Sequence, residues 1–271
     1  MTPWTRAFFA AVALTTAPTL SALSPIYSVQ TGLGGIDIWD ETDSFYYLTG
    51  AVQLSEGLGN HSLIDLQGEI STWDYTDEDN LDSEEIFLQA TYSYTPSAGF
   101  RVPTYSLALR YLEEFGAEDE FDASTVTLIL GIAYRFDDRT TLRGGLKAGD
   151  RDSDSEIDSD IAGYFVSLDL SYSESLLFYT TVGLNEGAEN IRSYCSGAYY
   201  EGDPGGRWNG GRWDSNAEWS GDCENTYLTL GANYVINANH SFDVSASYQD
   251  YDTPAGSFDG QIYAIDYFFR F

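Results

Sequence analysis

Lysine is almost missing from this 271-residue chain. Lys147 is the only one, and twelve basic residues in all stand against 43 acidic ones, a formal net charge of −31. Such a surface repels phosphate backbones and removes nucleic acid as a partner class. It also repels the phosphates of lipopolysaccharide unless divalent cations intervene. Because salt screens self-repulsion, the same charge suits a salt-adapted protein. Histidine is confined to His61 and His240, and cysteine to Cys195 and Cys223. With the histidines far from the cysteines in sequence, a zinc site is not expected. An even cysteine count in an exported chain reads as one disulfide, Cys195–Cys223. Beyond the N-terminus no stretch approaches 18 consecutive apolar residues, so no membrane-spanning helix is expected.

The N-terminus opens Met1-Thr-Pro-Trp-Thr-Arg6 and runs almost purely apolar from Ala7 to Leu14, with small residues before Leu20-Ser21-Ala22. This layout predicts a secretory signal peptide over residues 1–22, too short to span a bilayer as a helix. Residues 23–271 are expected to form the folded part.

That part is rich in alternation. Counting back from Phe271, residues Phe269, Tyr267, Ile265 and Tyr263 fall on every second position, and a strand sends alternate side chains to opposite faces. Twelve stretches show this period: 26–36, 45–55, 62–73, 85–95, 104–112, 124–136, 140–149, 161–172, 175–185, 226–236, 241–250 and 261–271. The clearest carries Val126, Leu128, Leu130, Ile132, Tyr134 and Phe136 on one face. Apart from Asp250, at the very end of the eleventh, no acid or base falls on the apolar face of any of the twelve. Their connections alternate between short turns and long acidic loops, the longest being 186–225, and the loops hold most of the acids. A soluble β-sandwich also alternates. One fully apolar face per strand, loop asymmetry and a terminal aromatic strand instead fit a lipid-facing wall. An even strand count puts both termini on the short-turn, periplasmic side. These features resemble the bacterial outer-membrane β-barrel proteins, which typically end in Phe with apolar residues at alternate positions before it. The resemblance implies an all-β, transmembrane antiparallel barrel of about twelve strands in the outer membrane of a Gram-negative cell. Outer-membrane lipid and lipopolysaccharide would be its surroundings, and a monomeric or weakly oligomeric, porin-like state is expected.

The opposite, inward face is polar and often small. Its bases, Arg110, Arg135, Arg143 and Lys147, gather on strands 5 to 7. Its acids are Asp65 and Glu69 on strand 3, Asp169 on strand 8, Asp243 on strand 11 and Asp266, with Arg270, on strand 12. Two readings stand side by side. The charges line a water-filled pore for small solutes, or they pair across a plugged lumen. About eight strands give a filled interior and sixteen to eighteen an open one, so twelve leaves both open.

The loop 186–225 carries Arg207-Trp208 and Arg212-Trp213 in tandem, with Trp219 beyond. Exposed Trp and Arg suit sugar stacking or carboxylate recognition, and equally a self-packed lid of cation–π pairs. A disulfide there would restrict the unfolded loop by about 3 kcal/mol on the chain-entropy model. Asp150, Asp152 and Asp154 alternate as loosely bound calcium would require. The run fails the EF-hand pattern, because Ser155 stands where Gly is needed and Ile161 where Glu is needed. No resident cofactor is expected. Outer-membrane phospholipases, also twelve-stranded, use a His and Ser near the outer leaflet. Here His61-Ser62 and His240-Ser241 fall at periplasmic turns, so catalysis is not expected. The sequence therefore points to a passive channel for small hydrophilic solutes, or to a non-conducting barrel whose loops bind cations, lipopolysaccharide or a glycan.

Overall fold

The computed structural model describes residues 25–38, 41–76, 82–116, 122–153, 159–188, 223–253 and 256–271. Residues 1–22, Asp154, Cys195, Arg207, Trp208, Arg212, Trp213 and Trp219 lie outside them. Twelve strands follow in order: β1 (Ile26–Ile38), β2 (Glu41–Leu58), β3 (Ser62–Tyr75), β4 (Ser83–Tyr94), β5 (Pro103–Gly116), β6 (Ala123–Arg135), β7 (Thr140–Ser153), β8 (Ser159–Ser171), β9 (Leu176–Glu186), β10 (Glu224–Asn237), β11 (His240–Thr253) and β12 (Gly256–Arg270). Each pairs antiparallel with its sequence neighbours, and β1 pairs with β12, which closes the sheet into a barrel. Closure leaves no free strand edge across the middle of the wall, so the ladder there is satisfied without water.

The seam is fixed from Ser28 opposite Arg270 to Ile38 opposite Gly260. The Phe271 N–H donates to the Tyr27 carbonyl at 3.1 Å, and the two rings stack at 6.1 Å. Asn239, in the β10–β11 turn, donates its side-chain amide to the Arg270 carbonyl at 2.6 Å and ties that turn to the seam. The other short turns are equally local. Gly59 takes φ +75°, which a side chain disfavours, in the β2–β3 turn. In the β6–β7 turn the Asp137 carboxylate accepts from the N–H groups of Arg139 (2.9 Å) and Thr140 (2.8 Å). Those backbone donors, Arg139 first, hold its pKa below the usual carboxylate value.

Side chains obey the period of two. On β6, Val126, Leu128, Leu130 and Ile132 point outward and are exposed, while Thr125 and Thr127 point inward and are 2% exposed. The outward set forms a continuous apolar belt around the barrel, reaching 61% exposure at Leu33 and Leu146. An apolar surface of that extent belongs against lipid. All twelve strands face as their alternation predicts.

The strands are longer than the apolar alternation alone suggests. β2 extends to Glu41, β5 to Gly116 and β7 to Ser153. Segments expected as loops therefore continue the wall beyond the lipid belt, where outward positions such as Asp150 and Asp152 meet water. There the backbone ladder persists because its hydrogen bonds do not depend on apolar side chains.

The lumen as candidate functional site

Inward glycines stand opposite inward aromatic rings. Register places Gly32 opposite Tyr47 and Gly34 opposite Phe45. It also pairs Gly145 with Phe165, and Gly183 with Tyr227 and Gly231 with Tyr179. In each pair a methyl group added at the glycine would overlap the ring, so the ring lies flat on the wall. Small-against-large pairing of this kind keeps aromatic bulk out of the lumen axis.

Flat rings also let side chains reach across a strand. Tyr47 on β2 lies over Gly32 on β1 and donates its hydroxyl to Asp266 Oδ1 on β12 at 2.6 Å. Gln30 donates to the same hydroxyl oxygen. On the other side, Tyr179 on β9 lies over Gly231 on β10 and donates to Asp243 Oδ1 on β11 at 2.7 Å. Asp243 and Asp266 are themselves register partners. Two carboxylates thus sit side by side, each held by a tyrosine from the opposite direction.

The remaining inward charges do not form two facing walls. Arg143 pairs with Asp169 on the adjacent strand at 2.7 Å instead of with an acid across the lumen. Arg110 Nε donates to Gln89 at 3.3 Å, its guanidinium carbon lies 5.4 Å from the Phe87 ring centre, and it shares a cavity with Glu69. Lys147 runs along Gly163 on β8. Asp65 accepts from Ser55 near the turn end. Arg135 donates to the carbonyls of Asp137 (3.0 Å) and Asp138 (3.4 Å) and caps the Phe100 ring at 4.9 Å. Arg270 is exposed at the same rim. Adjacent-strand pairing wins because flanking side chains on one face are close enough to bond, whereas a lumen separates opposite walls.

Two open spaces adjoin the stacked Tyr47 and Trp73 rings, whose centres are 4.3 Å apart. One, about 320 Å³, is lined by Glu69, Glu85, Arg110, Thr125 and Thr127. The other, about 350 Å³ and nearer the long-loop end, is lined by Phe45, Trp73, Tyr75, Asn185, Asn225 and Asp266, among others. Above it the feet of the long fifth loop come together. The Gly187 N–H donates to the Cys223 carbonyl at 2.9 Å, and Ala188 and Cys223 pack with Ile36 and Tyr251. Cys223 is disulfide-bonded; Cys195, its expected partner, lies outside the described residues.

The alternation implied Trp73, Glu85 and Tyr227 but did not single them out. Glu114, Arg151 and Asn225 were absorbed into segments read as loops. Glu114 on β5 and Arg151 on β7 form a buried ion pair across β6, with Arg151 also donating to Thr125 at 3.4 Å. Among the described residues no three His, Cys, Asp or Glu side chains converge as a metal site would need. Asp150 stands on the outer face opposite Asp160. His61 and His240 sit by short turns with local partners, the Thr95 carbonyl and the Tyr267 hydroxyl.

No family model matches the sequence, and no curated protein matches it. Solved structures do match in shape. An outer-membrane channel from Pseudomonas putida F1 superposes with a TM-score of 0.59 at 12% identity, over 91% of this chain and 95% of that one. The CymD monoaromatic hydrocarbon channel superposes with a TM-score of 0.50 at 11% identity, over 96% and 93%. By its fold, the chain is a multi-pass β-barrel of the Gram-negative outer-membrane type, in the architecture that channels use.

Proposed function

We propose that the barrel is a narrow passive channel for small hydrophilic solutes and carries no catalytic activity. The observation that carries this reading is the glycine–aromatic pairing. It holds five inward rings against the wall and leaves polar, charged space on both sides of Tyr47 and Trp73. Inward bases Arg110 and Lys147 and acids Glu69, Asp243 and Asp266 would then act on whatever solute or ion passes. A plugged barrel would place its bulky side chains toward the axis and pair its charges there; the described pairs instead hug the wall. His61 and His240, engaged at the turn end, supply no acid–base group to the lumen cavities.

Planar-bilayer recording tests the proposal. The protein should give conductance steps of stable size, and Lys147→Glu should shift the reversal potential in a KCl gradient toward greater cation preference. Liposome swelling with sugars would then define the size of solute admitted. Silence from protein that is folded by heat-modifiable gel migration overturns the channel and favours a surface-recognition barrel.

A further inference from the structure

The smaller lumen cavity, about 320 Å³, holds charges of both signs that do not meet. Arg110 on β5 sends its guanidinium over the Phe87 ring on β4, 5.4 Å from the ring centre. Phe87 is the register partner of Glu69 on β3. Base and acid therefore reach the same level of the wall, with one aromatic ring between them. Both line the cavity, yet no ion pair joins them among the described residues. A pair of glutamines holds them apart. Gln67 and Gln89 are register partners, one step nearer the turn end. Gln67 donates to Glu69 Oε1, and Gln89 Oε1 accepts from Arg110 Nε at 3.3 Å. The terminal guanidinium nitrogens of Arg110 and the second carboxylate oxygen of Glu69 keep no protein partner among the described residues.

Opposite charges fixed apart across open space select a guest that carries both. A plain anion would meet Glu69 and also Glu85, which lines the same cavity and accepts from Ser71 (3.3 Å) and Trp73 Nε1 (3.1 Å). A plain cation would meet Arg110. A neutral sugar gains no charge–charge attraction from either. The free edge of the guanidinium offers the planar fork that fits a carboxylate, and the free oxygen of Glu69 accepts from an ammonium. The Tyr47 and Trp73 rings border the same space and suit a short apolar side chain. The volume is at the small end of the range for ligand sites, about 300–1,000 Å³, so the guest is small.

We propose that this cavity binds a small zwitterion of the α-amino acid class, its carboxylate on the Arg110 guanidinium and its ammonium on Glu69. As the class of solute transported, it rests on the channel reading of the same lumen; as a binding site it stands on its own geometry.

Calorimetry on the full-length barrel in detergent micelles tests the site. L-alanine should bind, and lactate and alaninol each at least about tenfold more weakly, because each lacks one of the two charges. The variants should then split in a crossed pattern. Arg110→Gln should weaken L-alanine and lactate at least about tenfold and spare alaninol. Glu69→Gln should weaken L-alanine and alaninol by as much and spare lactate. Glu174→Gln in the β8–β9 turn should change none of them. Heat-modifiable gel migration confirms that each variant is folded, and a folding defect would not sort the ligands by charge. Equal affinity for L-alanine and lactate, preference for glucose, or indifference of L-alanine to either lumen variant overturns the proposal. L-alanine binding without bilayer conductance would sink the channel and keep the site; conductance without L-alanine binding would do the reverse.

Discussion

Glu114 is 1% exposed and Arg151 2%, yet both are charged, and each sits on a strand that touches β6 and not the other. Their pairing depends on what β6 places between them: Ala123 lies opposite Glu114 and Thr125 opposite Arg151, both small enough to be bridged. Burial makes the pair asymmetric in its consequences. Removing one partner strands a charge in a dry site, which costs about 3–5 kcal/mol, whereas replacing both by apolar residues of similar volume is close to neutral. Glu114→Ala should therefore lower the denaturant midpoint of unfolding in detergent far more than Glu114→Met with Arg151→Met; equal losses would show that the pair is not energetically coupled. At this scale the sequence was legible only within the lipid belt. Arg110, Lys147, Asp243 and Asp266 were recoverable because each alternates with apolar neighbours. Glu114 and Arg151 were not, because Glu113-Glu114 and Asp150-Arg151-Asp152 look like a solvated acidic loop once no apolar partner marks the second face.

The period of two survives wherever lipid enforces it, so all twelve strands and their facing directions could be written down from the chain. What alternation does not encode is which residue of one strand lies opposite which of the next. Along a single strand, an inward glycine and an inward aromatic bear no visible relation to each other. Register turns them into one device, with Tyr179 resting on Gly231 and donating to Asp243 one strand further on. A side chain at position 231 has no room beneath that ring. Gly231→Leu should force Tyr179 off the wall and into the lumen, break its bond to Asp243, and lower single-channel conductance about twofold or more. Adding Tyr179→Ala should restore it. An unchanged conductance in the single variant would mean that the ring does not control the bore, and failure of the double variant to recover would mean that the substitution at Gly231 acts through backbone distortion.

A barrel of twelve strands is wide enough to hold space and narrow enough for wall charges to govern it. Antiparallel succession sends the β2–β3, β4–β5, β6–β7, β8–β9 and β10–β11 connections to one end and the others, the long fifth loop among them, to the opposite end. The charge follows: outward and inward acids gather on the strand extensions at the long-loop end, among them Asp43, Glu85, Glu114 and Asp252, while Arg135, Arg139 and Arg270 mark the turn end. A chain of net charge −31 arranged in this way presents a negative outer mouth. Fields from such a mouth extend about 10 Å into solution at 0.1 M salt and about 3 Å at 1 M. Given the channel, potassium should permeate over chloride at 0.1 M KCl, and the preference should shrink toward unity at 1 M, read as the reversal potential across fixed tenfold gradients. A preference that ignores ionic strength would place selectivity in the lumen, at Asp243 and Asp266, and not at the mouth. Chloride preference at both concentrations would mean that Arg110 and Lys147 dominate and that the acidic rim has no hold on the permeating ions.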